Sequence, residues 1–132
     1  MNSICPCGSN KAANICCLPI IKGYKNAQTA EELMRSRYTA FTFADVEYLM
    51  ASQHSKTRNI KEKKEIKKWA QSVSWIGLSI LSRKNGLPND DSASVEFKAV
   101  FMESGLLNHI HEISIFEKEA GKWVYKNGKQ LP

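Results

Sequence analysis

Beyond residue 17 the chain contains no cysteine. It also lacks any apolar run near the ~20 residues that a membrane-spanning helix needs. Glycine and proline are sparse, 7 and 4 in 132 residues, which excludes collagen-like and Pro/Gly-rich disordered chains. There is no Gly-rich phosphate loop, no H-E-x-x-H and no G-x-S-x-G, so nothing supports a kinase, a zinc protease or a serine hydrolase. The first residues, Met1 to Cys5, have neither the basic start nor the apolar stretch of a secretory leader. The expectation is a cytoplasmic chain with no membrane segment. Its 132 residues give room for one ordinary domain, or a small domain with an appendage.

Nineteen basic against thirteen acidic residues leave a formal charge of +6. Such a balance suits nucleic acid, ribosomes or an acidic protein. Because the charge is spread along the chain, it describes a plainly soluble basic domain equally well.

All four cysteines, Cys5, Cys7, Cys16 and Cys17, fall in the first seventeen residues. Core filler would be scattered, so the clustering needs a local cause: two disulfides or one metal. A cytosolic chain argues against disulfides. Four thiolates on a short, turn-rich segment suit a closed tetrahedral zinc site. Cys5-Pro6-Cys7-Gly8-Ser9 puts two thiolates on one tight turn, stiffened by Pro6 and released by Gly8. Cys16 and Cys17 are adjacent. In a strand they would point to opposite faces, so both reach one ion only from a turn or a helix end. The spacing C-x-C-x8-C-C, together with Cys-Pro-Cys-Gly-Ser, resembles the SEC-C motif, a small zinc module.

The remainder divides by period. Thr29-Ala30-Glu31-Glu32 reads as a capping box, and Ala30, Leu33, Met34, Tyr38 and Phe41 recur at helical spacing, predicting a helix over about 30–43. Asp45 is placed to cap a short helix carrying Val46, Leu49 and Met50, and 52–59 reads as a loop. Ile66, Trp69, Ala70 and Val73 form the apolar stripe of another helix beginning near Ile60, with Lys61, Lys64 and Lys68 on the opposite, solvated face. The period then changes to two. Ile76, Leu78 and Ile80 share one face of a first strand, and 83–94 reads as a long turn. Val95, Phe97, Ala99 and Phe101 mark a second strand, 108–119 a third, and Trp123 to Tyr125 a fourth, closed by Asn127-Gly128. Helices followed by an antiparallel meander predict an α+β fold, with helices packed on one face of a curved sheet.

Candidate chemistry in this part rests on Tyr38, His54, His109, His111 and Glu112. His111 and Glu112 are strand neighbours on opposite faces and cannot form a simple dyad. If Glu112 shares the inward face with Ile110, Ser114 and Phe116, it is a buried carboxylate that needs a partner. Arg35 or Arg37 is the expected one, with Arg37 preferred, in a structural bidentate pair. A ligand-binding or catalytic carboxylate is the alternative.

Leu33-Met34-Arg35-Ser36-Arg37-Tyr38-Thr39-Ala40-Phe41 is similar to the LMRSRYSAF signature of the YchJ family. Tyr48-Leu49 with His54 and Arg58 resembles that family's YL…T-x-H-P-S-x-R segment. His111-Glu112-Ile113-Ser114-Ile115-Phe116 and the stretch Gly121 to Gly128 resemble its H-E-x-S-x-F and G-x-W-x-Y-x-D-G ends. The resemblance implies a cystatin-like cone, the fold shared by nuclear transport factor 2 and ketosteroid isomerase, and a family function that is unassigned. Ser52-Gln53-His54-Ser55 stands where the pattern has T-x-H-P, so whatever that loop does is expected to be weakened, and Asn127 stands where Asp is usual.

The reading is therefore a zinc-binding knuckle over residues 1–26 leading a cystatin-like α+β domain over 27–132. The expected job is a binding or adaptor module whose knuckle docks a protein or ribonucleoprotein. The alternative is an enzyme or small-ligand binder using the cone's pocket, with Arg35, Arg37, Tyr38, His54 and Glu112 as its candidate residues.

Overall fold

A computed structural model describes residues 3–132, so Met1 and Asn2, on which the leader argument partly rests, lie outside the described residues. Four helices precede four strands: α1 (Cys17–Ile21), α2 (Ala30–Thr42), α3 (Val46–Ala51), α4 (Lys63–Ser72), β1 (Ser74–Asn85), β2 (Ser92–Glu103), β3 (Leu106–Glu119) and β4 (Lys122–Gln130). The strands pair antiparallel in the order β1-β2-β3-β4. Two-residue turns at Ser104-Gly105 and Ala120-Gly121, with φ positive at both positions, join β2 to β3 and β3 to β4. No helix among the described residues is long and apolar enough to cross a membrane.

Local chemistry sets the helix starts. Thr29 Oγ1 accepts from Glu32 N at 3.1 Å, and Asp45 Oδ1 accepts from Tyr48 N at 3.1 Å. The α2 stripe Ala30, Leu33, Met34 and Tyr38 packs onto the inward residues of β2, namely Ala93, Val95, Phe97 and Ala99, and onto Phe116 and Trp123. α4 docks through Ala70 and Trp69, whose ring meets Trp75 edge-on at 5.3 Å and Phe101 at 5.6 Å. Lys61, Lys64 and Lys68 are exposed, as the solvated-face reading requires.

Three expectations for the sheet are corrected. Ile76 does not share the inward face with Leu78. A bulge between Trp75 and Gly77 shifts the register, turns Trp75 inward and leaves Ile76 56% exposed. The long turn expected over 83–94 shrinks to 86–91, because Arg83, Lys84 and Asn85 pair with Val95, Ser94 and Ala93. Asn127-Gly128 is not a closing turn: both residues lie within β4, opposite Ile115 and Ser114. Gly128 is there for space, since a Cβ at that position would lie 2.1 Å from Glu112 Oε2.

Residues 3–26 form a compact knot with its own small core of Cys5, Cys7, Ala13 and Cys17, flanked by Cys16, Leu18 and Ile21. The main apolar cluster draws on no residue before Ala27. A chain shortened to 27–132 is therefore expected to melt cooperatively, with its midpoint lowered by roughly 5–10 °C for the uncovered flank of α2. Calorimetry on that fragment checks it; a broad, non-cooperative trace would mean that the knot belongs to the main core.

Candidate functional site

The four sulfurs, Cys5, Cys7, Cys16 and Cys17 Sγ, all lie within 4.8 Å of one another. Cys7 and Cys16 Sγ are 3.6 Å apart, and Cys16 and Cys17 Sγ are 3.9 Å apart. Metal–sulfur bonds of about 2.3 Å set tetrahedron edges of roughly 3.8 Å. The four thiols therefore fit a tetrahedral metal ion and are too far apart for disulfides, and all four are free.

The backbone explains how adjacent cysteines converge. A 3-10 turn, Ala13–Ile15, ends at Cys16, whose φ of -120° and ψ of -101° break the helix. Cys17 then starts α1. On the other side, Cys5 N donates to Lys11 O at 2.8 Å and Ala13 N to Ser3 O at 2.8 Å, pinching the loop that carries Cys5 and Cys7. Gly8, at φ +84°, completes that turn, and a side chain there would press on the Leu78 carbonyl at 3.0 Å.

Neighbouring groups tune the sulfurs. Ser9 Oγ lies 3.1 Å from Cys16 Sγ, and Thr39 Oγ1 on α2 lies 3.6 Å from Cys5 Sγ, both placed to donate to thiolates. Hydrogen bonding from Cys17 draws the Cys7 thiol down to about 4, against the opposing effect of burial. The same bond, together with burial, pushes Cys17 up, and burial raises Cys16. The cluster thus resists holding all its thiolates at once unless a cation joins them.

Arg35 belongs to this end of the molecule and not to the cone pocket, which corrects the expectation. Its Nη1 donates to the Cys7 carbonyl at 2.5 Å and its Nε to Glu31 Oε2 at 2.8 Å. Glu31 also pairs with Arg83 of β1. The Glu31 carboxyl, which burial would raise, is held below the ordinary range by Arg35 and Arg83.

The second site is a cavity of about 160 Å³ between α2, α4 and the sheet. Its wall includes Arg37, Tyr38, Phe41, Trp69, Trp75 and Glu112. The expected Arg–Glu112 pair is not made. Arg37, buried at 7% exposure, turns toward the end of α3. Its Nη1 donates to Leu49 O at 2.9 Å and Ser52 Oγ at 2.7 Å, and its Nη2 to Gln53 Oε1 at 3.4 Å. Its guanidinium carbon sits 4.6 Å above the Tyr125 ring centroid. Tyr125 is the intermediary: its hydroxyl donates to Glu112 Oε2 at 3.2 Å. Ser114 Oγ and Gln130 Nε2 also donate to that carboxylate, each at 2.5 Å. Burial pulls the Arg37 guanidinium down to about 10, leaving it cationic at neutral pH. Burial also pushes the Tyr38 phenol up to about 12.

His54 is buried but lies outside the cavity wall. Its backbone N donates to Tyr125 O at 2.7 Å, and Tyr125 N donates to Ser52 O at 2.8 Å, so this segment covers the free edge of β4. Lys56 N donates to its Nδ1 at 3.0 Å; Glu119 Oε2 lies 3.4 Å from the same nitrogen, and Glu117 Oε1 lies 3.3 Å from Nε2. With Ser55 in place of Pro, the Ser55 N–H and hydroxyl both donate to Glu119, contacts that a proline could not make. His111 faces the outer side of the sheet, 2.7 Å from Glu96. Thr39, Gln130 and Gly128 were not among the residues expected from sequence. The short signature 33–41 could have pointed to Thr39, since it stands at i+4 from Arg35.

Fold and cluster together define a SEC-C-type cysteine knuckle leading an α+β domain. A family model described as "YchJ, middle NTF2-like domain" matches residues 29–128. A UPF0225 protein of Geobacter sulfurreducens is 40% identical over 128 residues, spanning 97% of this chain and 80% of the relative. One from Photorhabdus laumondii is 37% identical over 130 residues, spanning 97% and 81%. The solution structure of a SEC-C motif containing protein from Rhodopseudomonas palustris matches with a TM-score of 0.87 at 28% identity over 100% of both chains. The crystal structure of another, from Psychrobacter arcticus, gives 0.82 at 28% identity over 98% of this chain and 84% of that one. The chain belongs to the YchJ family.

Proposed function

We propose that this protein is a cytoplasmic binding module in which a structural zinc ion, held by Cys5, Cys7, Cys16 and Cys17, shapes a docking surface for a protein or ribonucleoprotein. The observation that carries this reading is the closed set of four sulfurs: with every tetrahedral position filled by thiolate, the metal has no open site for substrate and serves structure. Thiolate ligands suit a reducing compartment. Around the cluster, Ile4, Ile15 and Tyr24 are 64%, 65% and 82% exposed. Lys11, Lys22 and Lys25 are exposed among them, and residues 3–26 contain no acidic side chain. A mixed apolar and basic surface of this kind suits an acidic partner. In this reading residues 1–26 are the docking unit and 27–132 its carrier.

Affinity capture from cell extract, with and without nuclease, tests the proposal when run beside an Ile15→Asp, Tyr24→Ser variant. The expected result is a partner set lost by the variant while its metal content stays unchanged; sensitivity to nuclease then separates a ribonucleoprotein from a protein. A captured set that the variant leaves intact overturns the docking role.

A further inference from the structure

We propose that the cavity between α2, α4 and the sheet binds a small organic cation, an ammonium group on a compact apolar body. The proposal is independent of the metal-held docking surface. The cavity, about 160 Å³, is of the size that accepts a single benzene ring. Of its lining residues Gln130 is exposed, whereas Met34 and Phe97 are buried.

Six aromatic rings line it, and four of them, Tyr38, Phe41, Trp69 and Trp75, pack against one another. Tyr38 meets Trp75 at 81°, Trp69 meets Trp75 at 86°, and Phe41 meets Trp69 at 83°. Rings at near-right angles form a corner that presents edges as well as π faces, and a π face turned to the cavity attracts a cation through its quadrupole.

Glu112 supplies the charge. It is the one carboxylate among the described lining residues. Three donors, from Ser114, Tyr125 and Gln130, fix its position. A carboxylate offers about four acceptor sites, so acceptor capacity remains, chiefly at Oε1, which takes only Gln130. Gly128 makes the space in which the carboxylate rests. Arg37 is the single cation among the described lining residues; three of its five N–H donors go to Leu49, Ser52 and Gln53, and one face is covered by Tyr125. Its hydrogen bonds run to the end of α3 and not to Glu112. An anion entering the cavity would meet Glu112, and a hydrocarbon would leave the carboxylate's spare acceptor unanswered. An ammonium satisfies both the carboxylate and the aromatic corner.

Three probes of matched ring size test this on the metal-loaded full chain: benzylamine, benzyl alcohol and benzoate. Binding is read by tryptophan fluorescence and by amide and indole NMR shifts. Benzylamine is expected to saturate and to bind at least about tenfold more tightly than benzyl alcohol, with benzoate weaker still. Shifts should centre on the Trp69 and Trp75 indoles and on Ile110 and Glu112. Glu112→Gln should remove about tenfold from benzylamine affinity and leave benzyl alcohol nearly unchanged. If that variant melts below the assay temperature, Trp69→Leu replaces it, with a severalfold loss of benzylamine affinity expected. Equal affinity for amine and alcohol, tighter benzoate, no saturation with any probe, shifts centred elsewhere, or variants that bind benzylamine like the parent would each overturn the proposal.

Discussion

Protein purified without chelator is expected to carry close to one zinc per chain, and Cys7→Ser almost none. Cys7 has no exposed surface and sits at the centre of the cluster, in contact with Cys16 and held by Arg35 through its carbonyl. Substituting it removes a thiolate from a set that has no spare. Structural zinc in small cysteine modules contributes about 10–16 kcal/mol of apparent binding energy, and that energy is folding energy for the segment that holds it. Few apolar side chains stand behind the knot, so nothing of comparable size replaces the metal there. The amide signals of residues 3–25 in the substituted protein should collapse toward random-coil positions, while those of the sheet stay dispersed. Elemental analysis and NMR together check this. A well-dispersed knot without metal would end the structural-metal reading.

Arg37→Met should be the most damaging single change in the remaining domain. It strips the Leu49 carbonyl, the Ser52 hydroxyl and the Gln53 amide of a charged donor and leaves them in a buried setting. Hydrogen bonds to a charged group are worth about 1.5–3 kcal/mol, and orphaned buried acceptors add to the loss, so a cost of roughly 3 kcal/mol or more is expected. For a chain of this length that lowers the melting temperature by about 10 °C. Glu112→Gln should cost less, and the two changes should combine nearly additively, with a coupling below about 1 kcal/mol, because Tyr125 stands between the groups. A coupling of several kcal/mol would signal a direct buried pair, the arrangement that residue placement alone suggested.

That difference shows where sequence reading succeeded and where it ran out. The cysteine spacing located the four-sulfur cluster, because four cysteines on short turns leave few other arrangements. The α2 stripe and the alternation in β2 located the core, since each is set by a single period. Ile76 was misplaced because one bulged residue inverts every side chain before it, and the one local sign of the bulge is the isolated glycine beside it, Gly77. Gly128 read as a turn because Asn-Gly usually is one; here its missing side chain makes way for Glu112, a partner sixteen positions away in sequence. Arg35 and Arg37 lie two positions apart, about 200° around the helix, so they cannot serve the same neighbour. Their assignments depended on what packed against each flank, and that is a tertiary fact.

α2 is therefore a shared wall. Arg35 and Thr39, four residues apart, touch the cysteine knot, while Met34, Arg37, Tyr38 and Phe41 face the cavity. One short rod carries both sets of contacts with no hinge between them. Any coupling between metal occupancy and cavity occupancy that runs through this rod acts equally in both directions. A mutation in 34–41 is therefore to be read out at both the cysteine knot and the cavity.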